Sequence, residues 1–232
     1  MNPSNPISRH DWLKQKRFEA EQRMDTLYAP IYDQSWGTII EASHQRFIQR
    51  FLELIPPRSH LLDAACGTGK YWSVLLAAGH SILGIDQSQG MLDRANQKFP
   101  DVPTEKIGMQ EVSYIDAFDS AVCMDSMEFV FPEDWPLVMT NFWRALKPDG
   151  ILYFTVEITT PEDLQEAFAK SLEMGLPVVY GEHAIEGGYH YYPSMDQVRD
   201  WIKESYFSLL EEGEGDEYHH FIVRKRIAGT PG

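Results

Sequence analysis

A chain of 232 residues with 43% hydrophobic and 12% aromatic side chains has material for one sizeable core, while a formal charge of −15 with no long basic stripe argues against a nucleic-acid partner. The two cysteines, Cys66 and Cys123, stand in apolar strand-like contexts, which gives no disulfide framework and points to a reducing cytoplasm. No run of 18 apolar residues and no signal-peptide core is present, so the expectation is a soluble, cytoplasmic protein with no membrane partner.

Residues 1–9 are polar and read as loose. From Asp11 to about Leu27 the pattern is helical and highly charged, and it runs into LYAPIYDQSWG, where Pro30 interrupts. A second helix fits Thr38 to Leu54, with Ile40, Phe47, Ile48, Phe51 and Leu52 at helical spacing and Pro56-Pro57 as its stop. Strands are then expected near 60–65, 81–86, 104–109, 119–125 and 150–157, and helices over 70–78, 89–98, 133–146 and 161–174. Such alternation implies a parallel sheet with helices on both faces, an α/β architecture. From Met174 to Ser194 the pattern breaks into a Gly- and aromatic-rich stretch that reads as a folded insertion. The helix SMDQVRDWIKESYF follows, with Ser194 or Asp196 as its cap. SLLEE and YHHFIVRKR, joined by GEGD, give a closing hairpin. The expected organisation is one domain, with a helical cap over 1–57, a core over 58–160, a lid over 174–193 and a helix plus hairpin over 194–228.

The chemistry is concentrated in LLDAACGTG, residues 61–69, and in GID, which ends in Asp86. An apolar strand runs into an acidic residue, a Gly-rich turn and a helix, then a second strand ends in a carboxylate. Gly67 and Gly69 let the backbone turn sharply and let a ligand lie against it. A carboxylate at the tip of the next strand can accept both hydroxyls of a ribose. The dinucleotide fingerprint fails, because its three glycine positions hold Ala65, Gly67 and Lys70. A phosphate-cradling Gly-Lys-Ser/Thr loop fails as well, since Tyr71 follows Lys70.

LDAACGTG closely resembles the first motif of the class I S-adenosylmethionine-dependent methyltransferases, with Ala65 in place of the first Gly. The likeness extends through ILGIDQSQGMLDRA, FDSAVCMDSMEFV and WRALKPDGILYFTVE, where Asp149 replaces one Gly, and covers roughly residues 28–226. It implies a Rossmann-like seven-stranded mixed sheet of order 3-2-1-4-5-7-6, with YHHFIVRKR inserted antiparallel. It also implies S-adenosylmethionine as cofactor. Asp63, Ala65, Gly67 and Gly69 would face its methionine part and Asp86 its ribose. Gln87, Met91, Met109 and Gln110 would surround the adenine, and Cys123 would lie near the sulfur.

For the methyl acceptor, Tyr32, Trp36, Asp125, His183 and Tyr191 are the substrate-contact candidates. The insertion leaves the fifth strand beside the cofactor edge, where aromatic, glycine-bearing loops make natural lids. MDSMEFV resembles a family segment that often ends Glu-His, but Phe129 replaces that His. A general base then falls to Glu128 or to His190, whose type titrates near neutrality. The eight His show no ligand spacing, and His219 and His220 should point to opposite faces of one strand, so no metal site is expected. The leading expectation is methyl transfer to an oxygen or nitrogen of a small molecule. The alternatives are a protein or RNA acceptor, or a binding protein that performs no transfer.

Overall fold

The computed structural model describes residues 7–37, 39–184 and 188–226, so most of the 1–9 segment, Thr38 and three lid residues lie outside the described residues. Helix α1 (Arg9–Arg23) starts at Ser8, whose hydroxyl accepts the Asp11 N–H, and it passes through a π-turn (Met24–Tyr28) into the short α2 (Tyr32–Ser35). Helix α3 (Ala42–Leu54) precedes an alternation of strands and helices: β1 (His60–Ala64), α4 (Trp72–Ala77), β2 (Ser81–Asp86), α5 (Gln89–Lys98), β3 (Thr104–Lys106), β4 (Phe118–Cys123), α6 (Trp135–Ala145), β5 (Leu146–Glu157) and α7 (Pro161–Glu173). A two-stranded hairpin, β6 (Glu182–His183) and β7 (His190–Tyr191), forms the insertion. Helix α8 (Met195–Glu204), capped by Ser194, leads to β8 (Phe207–Gly215) and β9 (Tyr218–Lys225). Among the described residues no helix is long and apolar enough to cross a membrane.

The main sheet has the order β3-β2-β1-β4-β5-β9-β8. This is the expected 3-2-1-4-5-7-6, because the lid hairpin takes two numbers in chain order. β1 to β5 pair in parallel, and β9 is antiparallel to both its neighbours. The central strands are buried on both faces. Leu61, Val122, Tyr153 and Ile222 point into one apolar layer with α3, α4 and α5, while Leu62, Ala121, Phe154 and Phe221 point into the other with α6 and α8. The period-2 alternation of a strand thus fills two cores at once, which is why these strands read as continuous apolar runs.

Several boundaries differ from the sequence expectation. β3 stops at Lys106, and the expected remainder becomes a 3₁₀ turn (Met109–Glu111), in which the Glu111 carboxylate accepts the Gly108 N–H at 3.0 Å. β5 starts at Leu146, four residues early, because Lys147 to Gly150 bulge before pairing resumes at Ile151. Asp149 sits in that bulge at φ +63°, a left-handed position that Asp tolerates better than most residues.

Candidate active site

At the C-terminal end of β1 the chain folds back through residues 65–69, with φ of +55° at Ala65, +53° at Gly67 and +73° at Gly69. A Cβ on Gly69 would lie 2.7 Å from the Trp72 ring, whereas one on Gly67 would meet nothing within 4 Å. The backbone at Gly67 therefore borders open space, and Gly69 is glycine because Trp72 packs on it. Trp72 Nε1–H donates to Asp63 Oδ2 at 2.7 Å. Burial pushes Asp63 up to about 7 against that bond, with the charges of Asp86 and Asp125 adding to the rise. Asp86 Oδ2 accepts the Gly67 N–H at 2.9 Å and Oδ1 accepts the Ser88 N–H at 2.8 Å. Burial still pushes Asp86 up to about 6. Each of its oxygens keeps a lone pair for a further donor. Ser88, not Asp86, caps α5, accepting the Met91 N–H.

Beyond β2, Gln87 is half-buried and Met91 is buried in α5. Met109 is buried, and the Cys123 thiol lies 3.5 Å from its sulfur. Asn141 of α6 donates to the Met109 and Gln110 carbonyls at 3.1 and 3.0 Å, which fixes this loop, while Gln110 Nε2 reaches Asp134 at 3.4 Å.

On the other side of the turn, Asp125 follows β4 at φ +53°, and its N–H donates to Thr155 Oγ1 at 2.7 Å. Its carboxylate bonds His44 Nε2 at 2.7 Å, the Tyr71 hydroxyl at 2.5 Å and Lys70 Nζ at 3.3 Å. Burial alone would raise Asp125, but His44, Lys70 and Tyr71 outweigh it and hold the carboxyl below its usual range. A cavity of about 30 Å³ opens here, lined among others by Tyr32, Asp63, Gly67, Lys70 and Asp125. Glu128, in the 3₁₀ turn after β4, is 2% exposed, and its Oε2 has no hydrogen-bond partner. Burial first, then the charges of Glu157 and Asp125, raise it well above the ordinary glutamate value. Glu157 ends β5 and bonds His190 Nδ1 at 2.6 Å, and the Tyr192 hydroxyl is 3.0 Å from the same nitrogen. The His190 ring stands edge-on to Phe129 at 4.9 Å between centroids.

The structure thus brings Tyr32, Asp63, Ala65, Gly67 and Asp125 to one cavity, and it joins His190 to Glu157, while the buried Glu128 follows two residues after Ser126 of the cavity wall. It does not bring in Trp36, which is 47% exposed against Tyr28 and Tyr32, or His183, which is exposed on β6. Tyr191 belongs to the apolar core, with its hydroxyl on Gln197. His219 and His220 do fall on opposite faces, His219 bonding Glu212 and His220 stacking on Phe47. Sequence reasoning missed His44, Glu157 and Tyr218. His44 had a signal, because it falls one helical turn before Phe47 and Ile48 in the apolar stripe of α3, where an imidazole needs a partner.

The segment joining α1 to α2 straps this cleft. Asp25 accepts from Ser88 Oγ and from the Gly90 N–H at 2.9 Å, and Asp33 accepts from Thr68 Oγ1 at 2.6 Å and Lys98 Nζ at 2.7 Å. Tyr32 is thereby held against the turn after β1.

A family model described as "Methyltransferase domain" matches residues 62–154. The Bacillus subtilis protein named "Putative methyltransferase YqeM" is 33% identical over 135 residues, covering 56% of this chain and 49% of that one. The chain thus spans about half the length of that relative. A dTDP-4-amino-2,3,4,6-tetradeoxy-D-glucose N,N-dimethyltransferase of Saccharopolyspora spinosa is 25% identical, covering 68% of this chain and 64% of that one. Among solved structures, the magnesium protoporphyrin IX methyltransferase of Synechocystis PCC 6803, with S-adenosylhomocysteine bound, matches with a TM-score of 0.66 and 16% identity over 90% of this chain and 99% of that one.

Proposed function

We propose that this chain is a class I S-adenosylmethionine-dependent methyltransferase, and on that premise that it methylates an oxygen or nitrogen of a small molecule. Its residues fit the cofactor. The open space over Gly67 admits a ligand against the backbone, and Asp86 holds two oxygens, each with a lone pair, beside it. Asp63, Ala65 and Gly67 would hold the methionine part, Asp86 the ribose, and Gln87, Met91, Met109 and Gln110 the adenine. Cys123 supports that wall through Met109. When bound, S-adenosylmethionine supplies an electrophilic methyl group, whose bonding pair stays with sulfur as an acceptor lone pair takes the carbon.

What remains for the protein is to align the acceptor, exclude water and remove a proton. The observation that carries the acceptor side is the placement of His190. Phe129 occupies the position where relatives often have a histidine, and the lid returns an imidazole to that spot, edge-on to the Phe129 ring. Glu157 holds Nδ1, which leaves Nε2 as the nitrogen that can take a proton. Tyr32 from the strap lines the cavity, and Tyr192 from the insertion bonds His190, so that both would help to shield the reacting groups from water. A lid-enclosed cleft of this kind suits a small molecule better than a polymer. The amino-sugar relative acts on a small molecule by its name, which supports the same reading.

The test is to incubate the protein with S-adenosylmethionine and pooled metabolites and to look by mass spectrometry for a gain of one CH₂ unit. In the active pair, His190→Ala should cut turnover by about 10²–10⁴-fold with cofactor affinity unchanged. Full turnover in that variant would remove His190 from the base role.

A further inference from the structure

Resting on the reading above, in which His190 is the base, we propose that the acceptor carries an ammonium group, and that Glu128, with Asp125 and Glu157, forms the anionic receptor that holds it. Asp125 lines the cavity just after β4, Glu128 follows it in the next turn three residues on, and Glu157 ends the neighbouring strand β5. Among the described residues bonded to them, Lys70 on Asp125 is the one with a permanent positive charge, and Glu157 has His190. Glu128 has nothing on Oε2 although it is buried. A buried, unpartnered carboxyl group among like charges is costly for a protein to keep unless something answers it.

Three tyrosines from separate elements stand by the partners of these carboxylates: Tyr32 lines the cavity with Asp125, the Tyr192 hydroxyl lies on the His190 nitrogen that Glu157 bonds, and the Tyr218 ring meets His44, which bonds Asp125. Tyr32 of the strap, Tyr192 of the lid and Tyr218 of β9 are all pushed up by burial and, further, by the charge of Glu128. Ring faces and carboxylates together are the chemistry that receives an alkylammonium ion. The same charges repel a carboxylate acceptor, and to a neutral alcohol they offer a hydrogen bond without the attraction of opposite charges.

The proton step follows from the pair. The ammonium N–H bond breaks, the proton passes to His190 Nε2, and the electron pair stays on nitrogen as the lone pair that methyl transfer requires, while Glu128 holds the cation in place until then. Without a cation, burial first and then the charges of Glu157 and Asp125 disfavour the Glu128 anion. A bound ammonium reverses that balance, since opposite charge favours the ionised carboxylate.

The test uses the wild-type protein saturated with S-adenosylhomocysteine and a matched series: benzylamine, benzyltrimethylammonium, benzyl alcohol and benzoate, with binding read by calorimetry and thermal shift. The two cations should bind at least about tenfold more tightly than the alcohol and the acid. Glu128→Gln should lose that preference while retaining S-adenosylhomocysteine. Equal binding of the alcohol or the acid, no binding by either cation, or an unchanged Gln variant overturns the proposal. So does a Gln variant that loses S-adenosylmethionine while keeping the ammonium probes, because the carboxylate would then serve the cofactor's sulfonium. The isostere comparison needs no variant, so it stands even if Glu128→Gln misfolds. Failure of wild-type protein to bind S-adenosylhomocysteine at all is a separate outcome, which would overturn the family premise instead.

Discussion

Ala65 occupies a left-handed conformation, φ +55°, at the position where the family motif has glycine. Its Cβ makes that backbone strained, by about 1–2 kcal/mol before the lower chain entropy of alanine is counted. Ala65→Gly should therefore stabilise the protein by about 1 kcal/mol in urea unfolding, and a loss of stability would show that the methyl group packs usefully. Asp63 gives a pH signature. Its ordinary value is 3.8 and its folded value about 7, so between those limits the native state keeps a proton that the unfolded chain has released. Stability from this group is full at the acid end and is lost as pH rises through about 7. Asp63→Asn can still accept the Trp72 indole N–H through its carbonyl oxygen. It should flatten the fall of Tm between pH 4 and pH 7. Parallel wild-type and variant curves would mean that Asp63 is ionised throughout.

Between elements, the bond of widest consequence joins α1 to the lid. Arg9 donates through Nη1 and Nη2 to the two oxygens of Glu182, both at 2.9 Å, and also to the Pro177 carbonyl at 2.7 Å. The Glu182 side chain is fully buried and further accepts from the Tyr189 hydroxyl at 2.6 Å and the Val179 N–H at 2.7 Å. One carboxylate thus organises both arms of the insertion and ties them to the first helix. Removing the guanidinium would leave that charge uncompensated, so Arg9→Met should cost about 3 kcal/mol and loosen residues 177–192. Hydrogen exchange would localise the change, and uniform loss of protection across the sheet would contradict it. The periodicity of α1 gave no hint of this role, because an arginine in a charged helix looks like any solvated residue.

At the scale of the whole molecule, the cavity of about 30 Å³ is far smaller than a nucleoside, so cofactor binding should shift the strap carrying Tyr32. Adding S-adenosylhomocysteine at 100 times its Kd should raise stability by about 2.7 kcal/mol. It should also change exchange protection at residues 24–36 more than in the central strands, and equal change everywhere would argue against a moving strap. The sequence alone determined the sheet, the turn after β1 and the carboxylate at the tip of β2. Alternating apolar runs can be satisfied only by a sheet buried on both faces, and the Gly67–Gly69 turn and Asp86 are local features of chain geometry. It also pointed to Glu128, His190 and Tyr32. Tertiary structure alone decided how the acceptor side is assembled. His44 meets Asp125 across 81 residues, and Glu157 meets His190 across 33. Such contacts have no period to read, because burial in the folded chain, not spacing along it, forces each polar group to find its partner.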